Sequence, residues 1–237
     1  ENEIRAFVSK EYWLIKVSLS KEGNSKDSIL AQFYGKNGKK TELNSREEVD
    51  VVLDAVKKGE FAVTNVKYGE KKRSPAPPFI TSSLQQEASR RLGMTPKRTM
   101  AIAQRLYEGV ELKGVGSVGL ITYMRTDSQR ISEEALAAAG SYIRSEYGDT
   151  YYTGPRRFSA KSGAQDAHEA IRPTDIFLSP DKIKGQVPDE QQKLYSLIWK
   201  RFISSQMAGA IYDTVAVEIE NSGYNFRANY NKIKFPG

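Results

Sequence analysis

An α+β fold is the expectation for this chain: a mainly β scaffold interrupted by an inserted, mostly helical, winged-helix-like domain. Three observations predict it. Apolar and polar residues alternate near the start and again from Tyr212 onward, as half-buried strands require. A turn-rich break, Ser74-Pro75-Ala76-Pro77-Pro78, separates the first strands from a region of helix caps and helical spacing. The longest helical stripe, over residues 189–207, is followed at once by strands. The implied boundaries are residues 1–75 for the first part of the scaffold, 76–208 for the helical domain and 209–237 for the returning strands.

The first strand candidate is residues 12–19, with Trp13, Ile15, Val17 and Leu19 on one face and Lys16 and Ser18 on the other. Residues 29–34 form a second, and Asn37-Gly38 marks the turn after it, because both residue types tolerate left-handed backbone angles. Ser45 and Glu48 have capping-box spacing before a helical stripe of Val49, Val52, Leu53 and Val56, which stops near Gly59. Strand character returns over residues 61–68.

Beyond the prolines, Ser82 or Ser83 can cap a helix carrying Leu84, Ala88 and Leu92 and ended by Gly93. Thr95-Pro96 opens another, with Met100, Ala103, Leu106 and Tyr107 as its expected inward face. Arg90, Arg91, Lys97, Arg98 and Arg105 make this pair basic; Arg90 and Arg98 are candidate DNA contacts, and the bland alternative is a solvated surface. Two short helices followed by an irregular segment also suit a helix-turn-helix or winged-helix module that holds DNA without catalysis.

Glycines 109, 114, 116 and 119 predict a mobile or tightly turned loop; their spacing imitates a dinucleotide fingerprint but lacks the βα context that fingerprint needs. Ser132-Glu133-Glu134 caps a helix bearing Leu136, Ala139 and Ile143, which stops around Gly148. Tyr147, Tyr151, Tyr152, Arg156, Arg157, Phe158 and Lys161 then mix rings with cations. They either stack bases and neutralise phosphates or pack back on the domain. Leu194, Leu197, Ile198, Arg201 and Phe202 stripe the long helix, and the closing strands alternate through Val215, Val217 and Ile219, then Tyr224, Phe226 and Ala228.

At 237 residues the chain can bury one large core or two smaller ones. Its formal charge of +7 favours an anionic partner. Cysteine is absent, which excludes disulfide staples and thiolate zinc sites within it and is compatible with a cytoplasmic setting. No apolar run approaches the roughly 20 residues that cross a bilayer, so no membrane partner and no signal peptide are expected. A chain opening on Glu1 without an initiator methionine reads as a fragment or a processed product.

Chemistry concentrates in GLITYMRTDS, residues 119–128. A tyrosine oxygen attacks phosphorus once its proton is lost, and its ordinary pKa of about 10 calls for neighbouring positive charge or a base. Arg125 lies two residues beyond Tyr123, and a guanidinium can grip two phosphate oxygens at once. The second informative run, AHEAIRPT over residues 167–174, holds the only histidine. Were that turn helical, His168 and Arg172 would share a face, as phosphate ligands or proton carriers. One histidine and one glutamate are too few for a metal site.

Four separated runs, PFITSSLQQEA (78–88), QRLYEG (104–109), GLITYMRTDS (119–128) and QDAHEAIRPT (165–174), resemble the motifs of type IA DNA topoisomerases, most closely the bacterial topoisomerase I branch. They stand in the family's order, and the resemblance covers essentially the whole chain. Ile80 occupies a position usually written as threonine, which touches nothing catalytic. The resemblance implies that Tyr123 attacks a phosphodiester in single-stranded DNA, becoming joined to the 5′-phosphate while a 3′-hydroxyl leaves. Arg125 would hold the scissile phosphate, His168 would contact a phosphate or nearby backbone, and Arg172 would help. Another strand then passes through the break and the 3′-hydroxyl reseals it, relaxing negatively supercoiled duplex DNA without ATP.

The resemblance also implies an acidic Toprim domain with a magnesium site, for which this chain has no candidate, and a ring-closing domain that is mostly missing. The expected entity is the central arch of a monomeric parent, with magnesium held by the missing Toprim domain and little relaxation activity of its own. The alternatives are a non-enzymatic winged-helix-like DNA-binding module, in which Tyr123 is structural, or a recombinase-like enzyme on duplex DNA. The latter generally needs more basic residues than Arg125, His168 and Arg172 around its tyrosine.

Overall fold

Period-two alternation builds one part of the molecule and helical periodicity the other. The computed structural model describes residues 1–21, 24–158 and 168–237, with the backbone alone for 24–26. Two compact units emerge: Glu1–Lys72 with Ile211–Pro236, and Arg73–Ala210 with Gly237.

The first unit contains a short helix α1 (Asn2–Arg5), strands β1 (Lys16–Lys21), β2 (Asn24–Lys36) and β3 (Lys39–Lys40), helix α2 (Arg46–Val56) and strand β4 (Ala62–Arg73). The second contains α3 (Thr81–Leu92), α4 (Pro96–Glu108), the short strands β5 (Val110–Leu112) and β6 (Gly116–Val118), α5 (Glu133–Tyr147) and α6 (Asp189–Gln206). The chain then returns to the first unit as β7 (Ala210–Asn221) and β8 (Tyr224–Phe235).

The large sheet runs β1-β2-β8-β7-β4, with β3 beside β2, so stretches far apart in sequence are hydrogen-bonded neighbours. The β1/β2, β2/β3, β2/β8 and β7/β8 pairs are antiparallel. Alternation decides which face is covered. Val217, Ile219, Phe226 and Ala228 point into a core with Ile15, Ala31 and the Val49, Val52 and Val56 stripe of α2. The intervening residues Glu218, Glu220 and Arg227 stay wetter. Phe33 and Phe61 meet the Phe226 ring edge-on, with centroids 5.8 and 5.4 Å away.

Local chemistry sets the turns. The β2–β3 hairpin closes on Asn37 and Gly38, with φ of 49° and 77°, and β7–β8 closes on Ser222 and Gly223, with φ of 52° and 78°. Two consecutive positive φ angles are what a two-residue hairpin matching strand twist demands. Beyond α2, the buried Asn221 amide donates to the Val56 carbonyl at 2.9 Å and closes an otherwise open helix end.

Several expectations need correction. The first strand begins at Lys16; upstream, Trp13 makes an isolated bridge to Leu43. Ser45 accepts from the Glu48 N–H, but the Glu48 carboxylate returns to the Asn44 N–H, one residue before the cap. α3 starts at Thr81, and Ser83 reaches back to accept from the Ile80 N–H. Of the two forms expected for the glycine-rich loop, the tight turn is the one present, in a hairpin pairing Val110 with Val118 and Leu112 with Gly116. On α4 the inward residues are Thr99, Ile102, Ala103 and Leu106, whereas Tyr107 faces out at 41% exposure.

The aromatic and basic stretch after α5 packs back on its own unit. The Tyr152 ring lies against Gly140 and beneath the Arg144 guanidinium, 4.8 Å from its centroid. Arg157 grips Glu133 through two hydrogen bonds of 3.1 and 2.8 Å. Lys161, like Gln165 and Ala167 of the histidine run, lies outside the described residues.

Phe226 is fully buried at the centre of the first unit's core. Phe226→Ala is expected to destabilise that unit by about 3–5 kcal/mol, the usual cost of deleting a buried ring. Urea unfolding followed by circular dichroism measures it, and a midpoint unchanged from wild type would contradict the packing described.

Candidate active site

Residues 119–128 belong to no helix and neither sheet and bend at Thr122, Met124 and Arg125, so their backbone groups must find partners elsewhere. They find them in the other runs marked in the sequence. The Leu120 N–H donates to the Leu106 carbonyl at 2.7 Å, at the end of α4. The Thr122 N–H donates to the Arg172 carbonyl at 2.9 Å, and the Thr174 N–H to the Leu120 carbonyl at 3.0 Å. The Thr122 hydroxyl donates to the Ala170 carbonyl at 2.7 Å and accepts from the Arg172 N–H at 3.0 Å. Behind this layer, the Ile171 N–H reaches the Phe79 carbonyl at 2.8 Å.

The other end of the run is held by Thr81, the first residue of α3. Its N–H donates to the Thr126 carbonyl at 2.9 Å, and its hydroxyl accepts from the Thr126 N–H at 2.9 Å. The hydroxyl proton has the Met124 carbonyl at 2.8 Å as its nearer acceptor. A second carbonyl, that of Thr126, lies 3.0 Å from the same hydroxyl. Gly119 permits the close approach at the start: a Cβ there would sit 2.6 Å from the Tyr107 carbonyl oxygen.

This anchoring produces a regular alternation. Met124, Thr126 and Ser128 are buried, and Tyr123, Arg125 and Asp127 are exposed between them. Tyr123 keeps 39% exposure beside the fully buried Met124. Its ring is flanked by the Tyr107 ring, centroids 5.5 Å apart at 68°, and by the His168 ring at 5.8 Å and 33°. Next to it opens a cleft of about 600 Å³ lined by Ile80, Thr81, Ser82, Gln85, Arg125, Thr126, Asp127 and His168. Arg125 and His168 thus line an open cleft, and the His168 ring links it to the exposed Tyr123 ring.

His168 and Arg172 arrive there differently from expectation. The segment is extended, because its amides are taken by Arg130, Phe79 and Thr122, so the two residues are not one helical turn apart. Arg172 is turned inward at 12% side-chain exposure. Its Nη2 and Nε donate to Glu169 at 2.6 and 3.1 Å, and its Nη1 to the Pro173 carbonyl at 2.9 Å. Nη2 also lies 3.4 Å from the hydroxyl of Ser132, the N-cap of α5. Arg98 pairs with Glu190 on α6, and Arg90 shares the Glu87 carboxylate with Arg91. Tyr107 is the site neighbour that sequence reasoning missed; the signal available was its place in QRLYEG, two residues before the glycine that opens the hairpin.

A sequence model of the DNA topoisomerase family matches residues 1–237, the whole chain. The chain belongs to the type IA DNA topoisomerase family. Among solved structures similar to it is full-length topoisomerase I from Thermotoga maritima, at 35% identity and a TM-score of 0.75. That match covers 99% of this chain but 36% of the Thermotoga chain, so the present sequence spans about a third of its relative.

Type IA topoisomerases generally depend on magnesium, an ion that takes oxygen ligands from one or two carboxylates and substrate phosphates. Among the described residues no three His, Asp or Glu side chains come close enough to hold a metal. Among the described residues, no helix is long and apolar enough to cross a membrane.

Glu87 sits largely buried midway along α3 among Arg90, Arg91 and Arg201. The hydrogen bond from Arg91 holds its carboxyl below the ordinary value of 4.5; burial opposes this, and the three guanidinium charges reinforce it. The unfolded chain therefore binds the proton more readily than the folded one. This stabilisation is complete above pH 4.5 and fades as pH falls through the lower folded value. Glu87→Gln is expected to flatten part of the acid-induced loss of stability of this unit, measured as urea midpoint against pH.

A second expectation concerns the Thr81 clamp. Thr81→Val keeps the shape but leaves the Thr126 N–H without its acceptor, costing about 1–3 kcal/mol. Hydrogen exchange at the Thr126 amide should accelerate, and exchange at the native rate would contradict the clamp.

Proposed function

We propose that this chain is the central part of a type IA DNA topoisomerase, in which Tyr123 cleaves one DNA strand by transesterification. The observation that carries the reading is the exposed Tyr123 phenol held beside a cleft bordered by Arg125 and His168. The Tyr123 oxygen–phosphorus bond forms as the bond from phosphorus to the 3′-oxygen breaks. The phenol gives up its proton and the departing 3′-oxygen gains one. The products are a 5′-phosphotyrosyl ester and a free 3′-hydroxyl. A second strand passes through the gap, and the 3′-hydroxyl then attacks the ester and restores both starting groups. Bond energy is conserved throughout, so relaxation of negatively supercoiled DNA needs no ATP.

Each side chain has a task suited to its place. Arg125 grips the scissile phosphate, where charge spreads over the non-bridging oxygens in the transition state. His168 contacts a neighbouring phosphate and flanks the nucleophile. Arg172 acts through the backbone it holds, since its carbonyl receives the Thr122 N–H. Arg90 and Arg98, at 72% and 53% side-chain exposure, can exchange Glu87 and Glu190 for more distant phosphates.

Magnesium chemistry and ring closure belong to parts of the protein outside this sequence, in keeping with the 36% coverage of the Thermotoga chain. Alone, the chain binds single-stranded DNA weakly and does not relax plasmids. The parent works as a cytoplasmic monomer.

Labelled single-stranded DNA, magnesium, this chain and the separately expressed magnesium-binding domain of a type IA relative make the test. Quenching in denaturant should reveal a covalent protein–DNA band that Tyr123→Phe abolishes. Association of the two pieces without any band would favour a DNA-binding module in which Tyr123 is structural.

A further inference from the structure

The geometry points to Tyr107 as the residue that positions the nucleophile, an inference that rests on the strand-cleavage reading of Tyr123. Tyr123 is bonded into the unit through its neighbours, while its own ring projects to solvent at 39% exposure. Anchored main chain does not fix an exposed ring, which can move between staggered side-chain positions. The position of this ring depends on what touches it, and two rings do: His168 and Tyr107.

Tyr107 is the firmer of the two contacts. It lies in the last turn of α4, and the preceding residue, Leu106, is fully buried and accepts the Leu120 N–H at 2.7 Å. Its own carbonyl abuts Gly119, where even a methyl group would collide. The backbone bearing Tyr107 and the backbone bearing Tyr123 are therefore locked together four residues before the nucleophile.

The rings meet at 68°, centroids 5.5 Å apart, in the arrangement that sets the positive edge of one aromatic against the negative face of another. Nearly half of Tyr107 remains in water, so the helix does not need the ring for its core. The ring confines the phenol of Tyr123 to one side of the cleft and raises the fraction of time its oxygen is in line with a bound phosphate. Such alignment affects the chemical step and leaves DNA binding unchanged.

The test compares Tyr107→Leu, which keeps bulk without a ring edge, with Tyr107→Phe, which keeps the ring. In the chain alone, the carbon resonances of an isotopically labelled Tyr123 ring report the contact. They should move toward random-coil values in Tyr107→Leu and stay in place in Tyr107→Phe. With the magnesium-binding domain added, the single-turnover rate of adduct formation at saturating single-stranded DNA should fall about 2- to 10-fold in Tyr107→Leu, the rate equivalent of one ring contact. The Kd for DNA and the urea midpoint should remain those of wild type, and Tyr107→Phe should restore the rate.

A Tyr107→Leu chain with unmoved Tyr123 resonances, or with the native adduct rate, overturns the positioning role. So does a Tyr107→Phe variant as slow as Tyr107→Leu, which would assign the effect to the hydroxyl. A Tyr123→Phe chain that still forms adduct would instead sink the cleavage reading while the resonances continue to report on the ring contact.

Discussion

The site in the second unit depends on one requirement: an irregular segment that joins no sheet must still satisfy its buried backbone groups. Residues 119–128 meet it by borrowing acceptors and donors from Leu106, Thr81, Ala170, Arg172 and Thr174. The same hydrogen bonds draw four separated pieces of sequence to one place. Loosening them would leave buried polar groups unpaired, at roughly 1–3 kcal/mol each. Rigidity around Tyr123 is thus a by-product of backbone bookkeeping, and helix packing serves as its foundation.

Two hydroxyls illustrate how small side chains do this. Thr122 and Thr81 each pair with backbone on both the donor and the acceptor side, Thr122 just before Tyr123 and Thr81 at Met124 and Thr126 beyond it. Serine could make the same bonds but would lose the methyl that fixes the rotamer. Glu87 plays a comparable part among Arg90, Arg91 and Arg201, where one carboxylate organises three cations and Arg201 also covers the Phe79 ring at 4.4 Å. The backbone of Phe79 is bridged to Ile171, which connects the arginine cluster to the segment that receives Thr122.

The sheet was legible in the sequence because only one of its faces is covered, which forces Val217, Ile219, Phe226 and Ala228 into a strict alternation. Its pairing was not, since no local pattern says that β8 lies between β2 and β7. Helices α4, α5 and α6 were readable from caps and stripes, yet the apolar body of Tyr107 looked inward-facing when its ring spans the edge of the helix to reach Tyr123. The histidine run misled for a related reason. Its spacing suits a helix, but its amides are claimed by Phe79, Arg130 and Thr122, tens of residues away. Distant hydrogen-bond partners leave no mark on local periodicity.

The strand order of the first unit has a bearing on how the protein is born. β8, which sits in the middle of the sheet, follows the whole of the second unit in the chain. As a nascent polypeptide leaves the ribosome, β1 and β2 emerge with the flank that will receive β8 still bare. The second unit, contiguous from Arg73 to Ala210, can finish folding while they wait. Translation thus completes the tyrosine-bearing unit before its scaffold closes, and an open strand flank is an invitation to aggregate. Lysines at positions 16, 21 and 36 on those early strands lend charge to that vulnerable interval.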